Sequence, residues 1–210
     1  MGKFRELMIF SNNEMERNGF KSFFEIHRPK YKVNIIFTTP SSTTKLFTGQ
    51  ADNSLIIFDT DCIEQKHILD FLQNCARNEI KCIIYSRLNT PGLLIKARQM
   101  GISGYVSKAS SLERLLDCLK VIELGGIYYD SCFSALLKEI SDFSQILSPM
   151  QQNLLYEALL FPNRSIREIA ESLKISKHTA EVHLYNLYQK IGLHTFNELV
   201  EKFSLCAAQI

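Results

Sequence analysis

The chain has 210 residues, with 24 Lys and Arg against 22 Asp and Glu, for a formal charge of +2. That length suits two small domains, and so balanced a charge excludes a polybasic nucleic-acid coat. Six cysteines (Cys62, Cys75, Cys82, Cys118, Cys132 and Cys206) show no CxxC and no finger-like spacing, which predicts reduced thiols, mostly in the core, rather than a metal site. The opening Met1-Gly-Lys-Phe-Arg-Glu leads into no long apolar run. A cytoplasmic chain with no membrane partner is therefore expected.

Short apolar runs alternate with helical patterns along the first 125 or so residues. Leu7–Phe10, Val33–Phe37, Leu55–Phe58, Cys82–Tyr85 and Gly104–Val106 read as five buried strands. Helical stretches fall at Glu14–His27, Ser42–Phe47, Lys66–Ala76, Pro91–Met100 and Ser111–Leu124. Such alternation predicts an α/β fold, a doubly wound, five-stranded parallel sheet covered on both faces. Its reactive edge would be at the carboxyl ends of the strands, where the sequence places Asp59, Ser86 and Lys108, with Tyr105 three residues before the lysine.

Residues 129–146 read as a connecting segment. Asp130 is placed to cap a short helix over Ser131–Ile140, and Ser141–Gln145 is polar. From Leu147 onward the pattern is all-helical. Ser165 and Glu168 form a capping box, and Ile166, Ile169, Ala170 and Leu173 share one helix face. Lys174-Ile175 makes a turn, Ser176 caps a second helix, and Gly192 stands where that helix ends. Ala180, Leu184, Leu187 and Ile191 form its buried stripe, leaving His178, Glu181, Val182, Tyr185 and Gln189 on the opposite face. An apolar Val on a polar face suits a thymine methyl in a major groove, and a second helix lying in that groove is how helix-turn-helix motifs dock on double-stranded DNA. The plainer alternative is two packed helices with a solvated face. Beyond the motif, Phe196, Leu199, Val200, Phe203 and Ala207 make a further stripe behind a Thr195/Glu198 capping box. Its outward residues Leu205 or Cys206 are candidates to pair two copies.

Leu147-Ser-Pro149, Glu168-Ile-Ala170, Leu173, Ile175-Ser176, Thr179, Val182-His183, Asn186, Lys190 and Gly192 together resemble the LuxR/NarL-type DNA-binding pattern. That resemblance spans about 64 residues (147–210) and implies a four-helix domain. It implies base reading by Glu181, Val182 and Tyr185, with Ser176, Lys177, His178, Thr179, His183 and Lys190 in the DNA-binding set. Arg164, Ser165, Arg167 and Lys174 are expected as supporting phosphate contacts, and a homodimer is expected. The sequence departs from the pattern in a longer Phe161–Arg164 loop, in Glu181 where a basic residue is common, and in Leu184 where Arg is common. Six Lys/Arg and six Asp/Glu leave residues 147–210 formally neutral, which implies modest affinity per monomer.

The strand-end set Asp59, Ser86, Tyr105 and Lys108 resembles a response-regulator receiver domain spanning residues 1–128, in which the Asp accepts a phosphoryl group. The resemblance also implies an acidic pair after the first strand for Mg²⁺. Here Ser11 and Asn12 stand in its place, and magnesium wants carboxylates. The expectation is a degenerate receiver with no cofactor, weak Mg²⁺ binding at most, no catalytic residues and no enzymatic activity. Two alternatives stay open: a conventional regulator phosphorylated on Asp59 by a sensor kinase, and a protein-interaction adaptor with weak DNA binding.

Overall fold

The computed structural model describes residues 6–29, 32–36, 54–87 and 91–205. The chain divides into two compact units, one comprising Met1–Leu88 and Ala97–Asp130, the other Asn89–Lys96 and Ser131–Ile210.

In the first unit, β1 (Glu6–Phe10), β2 (Lys32–Ile36), β3 (Ser54–Asp59), β4 (Lys81–Ser86), β5 (Gly104–Ser107) and β6 (Tyr128–Tyr129) form one sheet, ordered β2-β1-β3-β4-β5-β6. All five pairings are parallel. In chain order between the strands come α1 (Glu14–His27), α2 (Gln65–Arg77), α3 (Pro91–Gln99), whose first six residues fall in the second unit, and α4 (Glu113–Glu123). The doubly wound parallel sheet expected from the sequence is thus present, with six described strands rather than five. The extra one, β6, is a two-residue edge strand in register with Gly104 and Tyr105. In the sequence reading it is divided, with Tyr128 closing the receiver-like domain and Tyr129 opening the connecting segment, because two tyrosines are too short a run to show a period.

Alternate residues of each strand serve opposite faces. Leu7, Ile9, Leu55, Ile57, Ile83 and Tyr85 pack with Phe20 and Phe24 of α1 and with Leu115, Cys118, Leu119 and Ile122 of α4. On the other side Phe10 and Phe58 meet Phe71 of α2, the latter pair stacked at 4.1 Å. Gly104 is required where β5 passes α4, since a Cβ there would lie 2.5 Å from the Cys118 sulfur. Cys62, Cys75, Cys82 and Cys118 are buried free thiols. Burial pushes the Cys82 and Cys118 thiols well above their ordinary range, so they stay protonated. The helical stretch expected at Ser42–Phe47, Leu205's side chain, Cys132's side chain and Cys206 lie outside the described residues.

The second unit is helical: α5 (Ser131–Ile146), α6 (Pro149–Leu160), α7 (Ile166–Ser172), α8 (Lys177–Ile191) and α9 (Phe196–Leu205). The polar segment 141–145, expected as linker, continues α5. Ser144 bonds back to the Ile140 carbonyl at 2.8 Å and to the Tyr156 hydroxyl at 3.0 Å, while Phe143 meets Phe203 edge-on. Ser144 and Phe143, which read as linker, are therefore tied down by local and tertiary contacts. Ser148 with Gln151, and Ser165 with Glu168, form complete capping boxes. Beneath them Leu154, Leu155, Ala158, Ile169, Ala170, Ala180, Leu184, Leu187, Leu199 and Phe203 close the core. No described helix is long and apolar enough to cross a membrane.

Candidate nucleic-acid interface and strand-end site

Helix α8 begins where the sequence placed it. The turn before it needs one residue in the left-handed region, and Lys174 takes that conformation with φ 56°. Ser176 then accepts the Thr179 N–H at 3.0 Å, and Gly192, φ 69°, ends the helix. Ala180, Leu184, Leu187 and Ile191 are buried, as is Tyr188, whose hydroxyl burial pushes up to about 12. On the outward side, Val182 is 46% and Tyr185 62% exposed. His178 and Glu181 are exposed beside them, and Thr179 and His183 are half-buried.

The basic groups differ in how free they are. Lys177 lies 3.2 Å from Glu181, and Arg167 bonds Glu171 at 3.0 Å, both exposed pairs one helical turn apart. Such pairs are weak in water, so either cation can turn to a phosphate at small cost. Lys174 is exposed in the turn. Arg164 stacks 3.5 Å over the Phe161 ring and lies 3.6 Å from Glu157. The long loop that departed from the family pattern is therefore held by its own arginine. Ser165 gives its hydroxyl to the capping box. Lys190 is exposed but its ammonium is engaged, donating to the Ile146 carbonyl at 2.9 Å and to Gln151 Oε1 at 3.0 Å. This lysine closes a helix end instead of pointing freely outward, and spacing alone gave no signal of that.

At the strand ends of the first unit, Asp59 is 1% exposed. Its Oδ1 lies 2.7 Å from the Lys108 ammonium and accepts the Asp61 N–H at 2.9 Å, and Ser11 Oγ lies 3.1 Å from its Oδ2. Lys108 also reaches Glu16 at 3.2 Å and Asp61 at 3.1 Å, so three carboxylates surround one ammonium. Arg87 adds a second cation to Asp61 at 2.7 Å. Burial raises the Asp59 carboxyl above its ordinary value despite the opposing pull of the Lys108 bond. Burial also raises Asp61, but bonds from Arg87 and Lys108 outweigh it and hold that carboxyl low. Burial disfavours the charged Lys108, yet its bond to Asp59 prevails and keeps the ammonium protonated. Ser86 is fully buried and shares a 2.6 Å hydrogen bond with Thr60, and Tyr105 is fully buried. Asn12 donates to the Asp61 carbonyl at 3.3 Å.

Sequence reasoning missed Glu16 and Arg87. Glu16 lies on the first turn of α1, where Asn13 caps by accepting the Met15 and Glu16 N–H groups, and a first-turn acid is ordinary there. Asp130 was read only as a helix cap. Its carboxylate accepts the Ser107 N–H at 2.9 Å, the Ser110 hydroxyl at 2.8 Å and the Tyr128 hydroxyl at 3.0 Å, fastening β6 to the loop after β5.

The residues present do not fit a Mg²⁺ ion. Magnesium needs near-octahedral oxygens at about 2.0–2.1 Å, and here the Lys108 ammonium sits among the carboxylates that would supply them. No group of His, Cys, Asp and Glu among the described residues is arranged to hold a metal.

Residues 159–203 match the model of the bacterial regulatory proteins of the luxR family. Among curated relatives, the transcriptional regulatory protein MctR of Rhizobium johnstonii is 31% identical over 129 residues, 59% of each chain. The oxygen regulatory protein NreC of Staphylococcus aureus is 29% identical over 135 residues, covering 59% of this chain and 61% of the relative. The matches thus span less than two thirds of these relatives. Among solved structures, the response regulator RcsB in complex with DNA superposes with a TM-score of 0.64 at 20% identity, covering 96% of this chain and 98% of that one. RcsB of Salmonella enterica serovar Typhimurium, bound to a promoter in the presence of the phosphomimetic BeF3⁻, gives 0.62 at 20% identity over 98% and 99%. At that identity the likeness shows the fold.

Proposed function

We propose that this protein is a sequence-specific, DNA-binding transcription regulator whose receiver-like unit works without phosphorylation of Asp59; the match of residues 159–203 to the luxR-family model and the likeness in fold to RcsB support this reading. The domains are taken as a receiver-like unit over 1–128, a connecting helix within 129–146 and a DNA-binding unit over 147–210. The observation that carries the DNA reading is the outward face of α8. Val182 and Tyr185 stand in solvent on a helix whose other face is closed by core. Singly exposed apolar residues are ordinary, but these two are neighbours on the outward face of the second helix of the motif, the face that such motifs lay in a major groove, where thymine methyls offer apolar contacts.

Independence from phosphate rests on Ser11 and Asn12, which stand where the resemblance calls for an acidic pair to hold Mg²⁺. Phosphoryl transfer to an aspartate needs a cation to neutralise the developing charge, a role metal ions usually fill. Here the internal ammonium already neutralises Asp59 and is shared with Glu16 and Asp61. An incoming phosphoryl group would find no metal-binding acidic pair and would face the charges of Glu16 and Asp61, which share that ammonium. The unphosphorylated receiver-like unit is then the working one. A homodimer is the working assembly, since the near-neutral DNA-binding unit needs two sets of contacts to reach useful affinity.

The test is genome-wide mapping of bound DNA in cells, with wild type and Asp59→Asn. Discrete sites occupied equally by both are expected. Loss of occupancy in Asp59→Asn with the protein still folded would restore a conventional phosphorylated regulator with a sensor kinase. No enriched sites for either would favour a protein-interaction adaptor.

A further inference from the structure

The outward side of α8 carries two adjacent ridges at four-residue spacing. One runs Lys177, Glu181, Tyr185 and Gln189, the other His178, Val182 and Asn186, and all seven are exposed. Glu181 lies in the N-terminal half, the part of such a helix that reaches base edges. It is the one acidic group on these ridges. Near phosphates a carboxylate is repelled, so an acid here weakens binding unless it meets a hydrogen-bond donor. The base edges of a major groove offer two such donors, the exocyclic amino groups of cytosine and adenine. Adenine sets an acceptor, N7, beside its amino group, which repels the second oxygen of a carboxylate. Cytosine does not.

We propose that Glu181 is a specificity-determining residue that selects a cytosine in each half-site by accepting a hydrogen bond from its N4 amino group, beside the apolar contact made by Val182. This rests on the DNA-binding reading above. The carboxylate is already oriented along the ridge by Lys177, 3.2 Å away. Because that pair is exposed and weak, Lys177 can turn to a phosphate while Glu181 keeps its base.

Selection of binding sites from a random duplex library by the full-length protein tests this, comparing wild type with Glu181→Gln and Glu181→Ala. Wild type is expected to enrich a motif in which one cytosine per half-site is preferred by roughly tenfold over any other base, the scale of a single good base contact. Glu181→Gln, whose amide both donates and accepts, is expected to turn that position towards adenine, and Glu181→Ala to make it degenerate, with the rest of the motif intact. Both side chains are exposed, so both variants should melt with wild type. An unchanged base preference in the two variants overturns the proposal, even if both bind all sequences more tightly, because Glu181 would then act through charge alone. Absence of any motif with the wild type would be a different failure, that of the DNA-binding reading itself.

Discussion

Replacing Lys108 with Met keeps the volume of the side chain but deletes the ammonium from among three carboxylates. Its effect can be worked from the geometry. Both members of the Lys108–Asp59 pair are almost wholly buried, at 5% and 2% side-chain exposure. Breaking a buried pair on one side typically costs about 3–5 kcal/mol, because the remaining charge is stranded. Asp59 keeps the Asp61 N–H and Ser11, and Asp61 keeps Arg87, so the low end, about 3 kcal/mol, is expected. For a unit of this size that corresponds to roughly 10 °C in melting temperature. The loss should depend on pH in a definite direction. Burial already raises Asp59, and Lys108 opposes that rise. An acid with a raised folded pKa contributes stability that is fully present below its unfolded value and is lost as pH rises through the folded one. Without Lys108 the folded value climbs further, so the variant's deficit should be largest at neutral pH and shrink towards pH 5. Asp61 acts in the same sense. Its lowered value contributes stability above the unfolded value that is lost as pH falls, and the variant forfeits part of it. Calorimetry of the full chain between about pH 5 and 8 reads both effects, and Asp59→Asn in the Lys108→Met background should recover part of the loss. A fall of under about 2 °C, or a deficit that does not change with pH, would refute this account of the ammonium.

Other outcomes follow from the packing and the interface. Gly104→Ala drives a methyl to 2.5 Å from the Cys118 sulfur; it should cost about 1–3 kcal/mol, and Cys118→Ala should return most of it in denaturant titrations. Val182→Glu and Tyr185→Ala should each abolish specific binding in gel-shift assays with unchanged circular dichroism, since both side chains point away from the core. Neutralising Arg167, Lys174 or Lys177 in turn should reduce the slope of log affinity on log salt by about one to two units per dimer. Lys190→Met should leave that slope unaltered and lower the melting temperature of the helical unit, because its ammonium bonds Ile146 and Gln151.

The parts of the fold that were legible are those whose signals are local. α1 was expected at Glu14–His27, and Glu14–His27 is what forms, because its apolar spacing and its cap lie within one stretch. Ser165, Ser176 and Gly192 likewise declare helix ends through bonds to their near neighbours. The Thr195/Glu198 box forms with a shift: Thr195 accepts the Glu198 N–H, but the Glu198 carboxylate goes to the His194 N–H. In the sequence reading helix α5 ends early because Ser141, Asp142 and Ser144 are poor helix formers, and the contacts that override this come from Tyr156 and Phe203. At the strand-end site, Asp59 and Lys108 were visible because topology puts strand ends together. Glu16 was not, because its meaning lies in a lysine 92 residues away. The roles of Lys190 and Asp130 were hidden for the same reason, since nothing in their own neighbourhood distinguishes them from a solvated base or a simple cap.

The two complete capping boxes have a consequence for how fast the chain takes shape. Each fixes its helix start with residues three apart, and α7 and α8 meet across a turn of four residues, Leu173 to Ser176. Local closure of this kind is characteristic of domains that form in microseconds to milliseconds. The sheet is built the other way. Glu6 of β1 must find Ser54 of β3, and β5 must find β6 across the whole of α4, so its central strands wait on long loop closures. After dilution from denaturant, refolding should therefore resolve into an early helical phase and a later sheet phase. The early phase should be indifferent to Lys108 and Asp59, and α8 would be in place while the strand-end carboxylates are still unpaired.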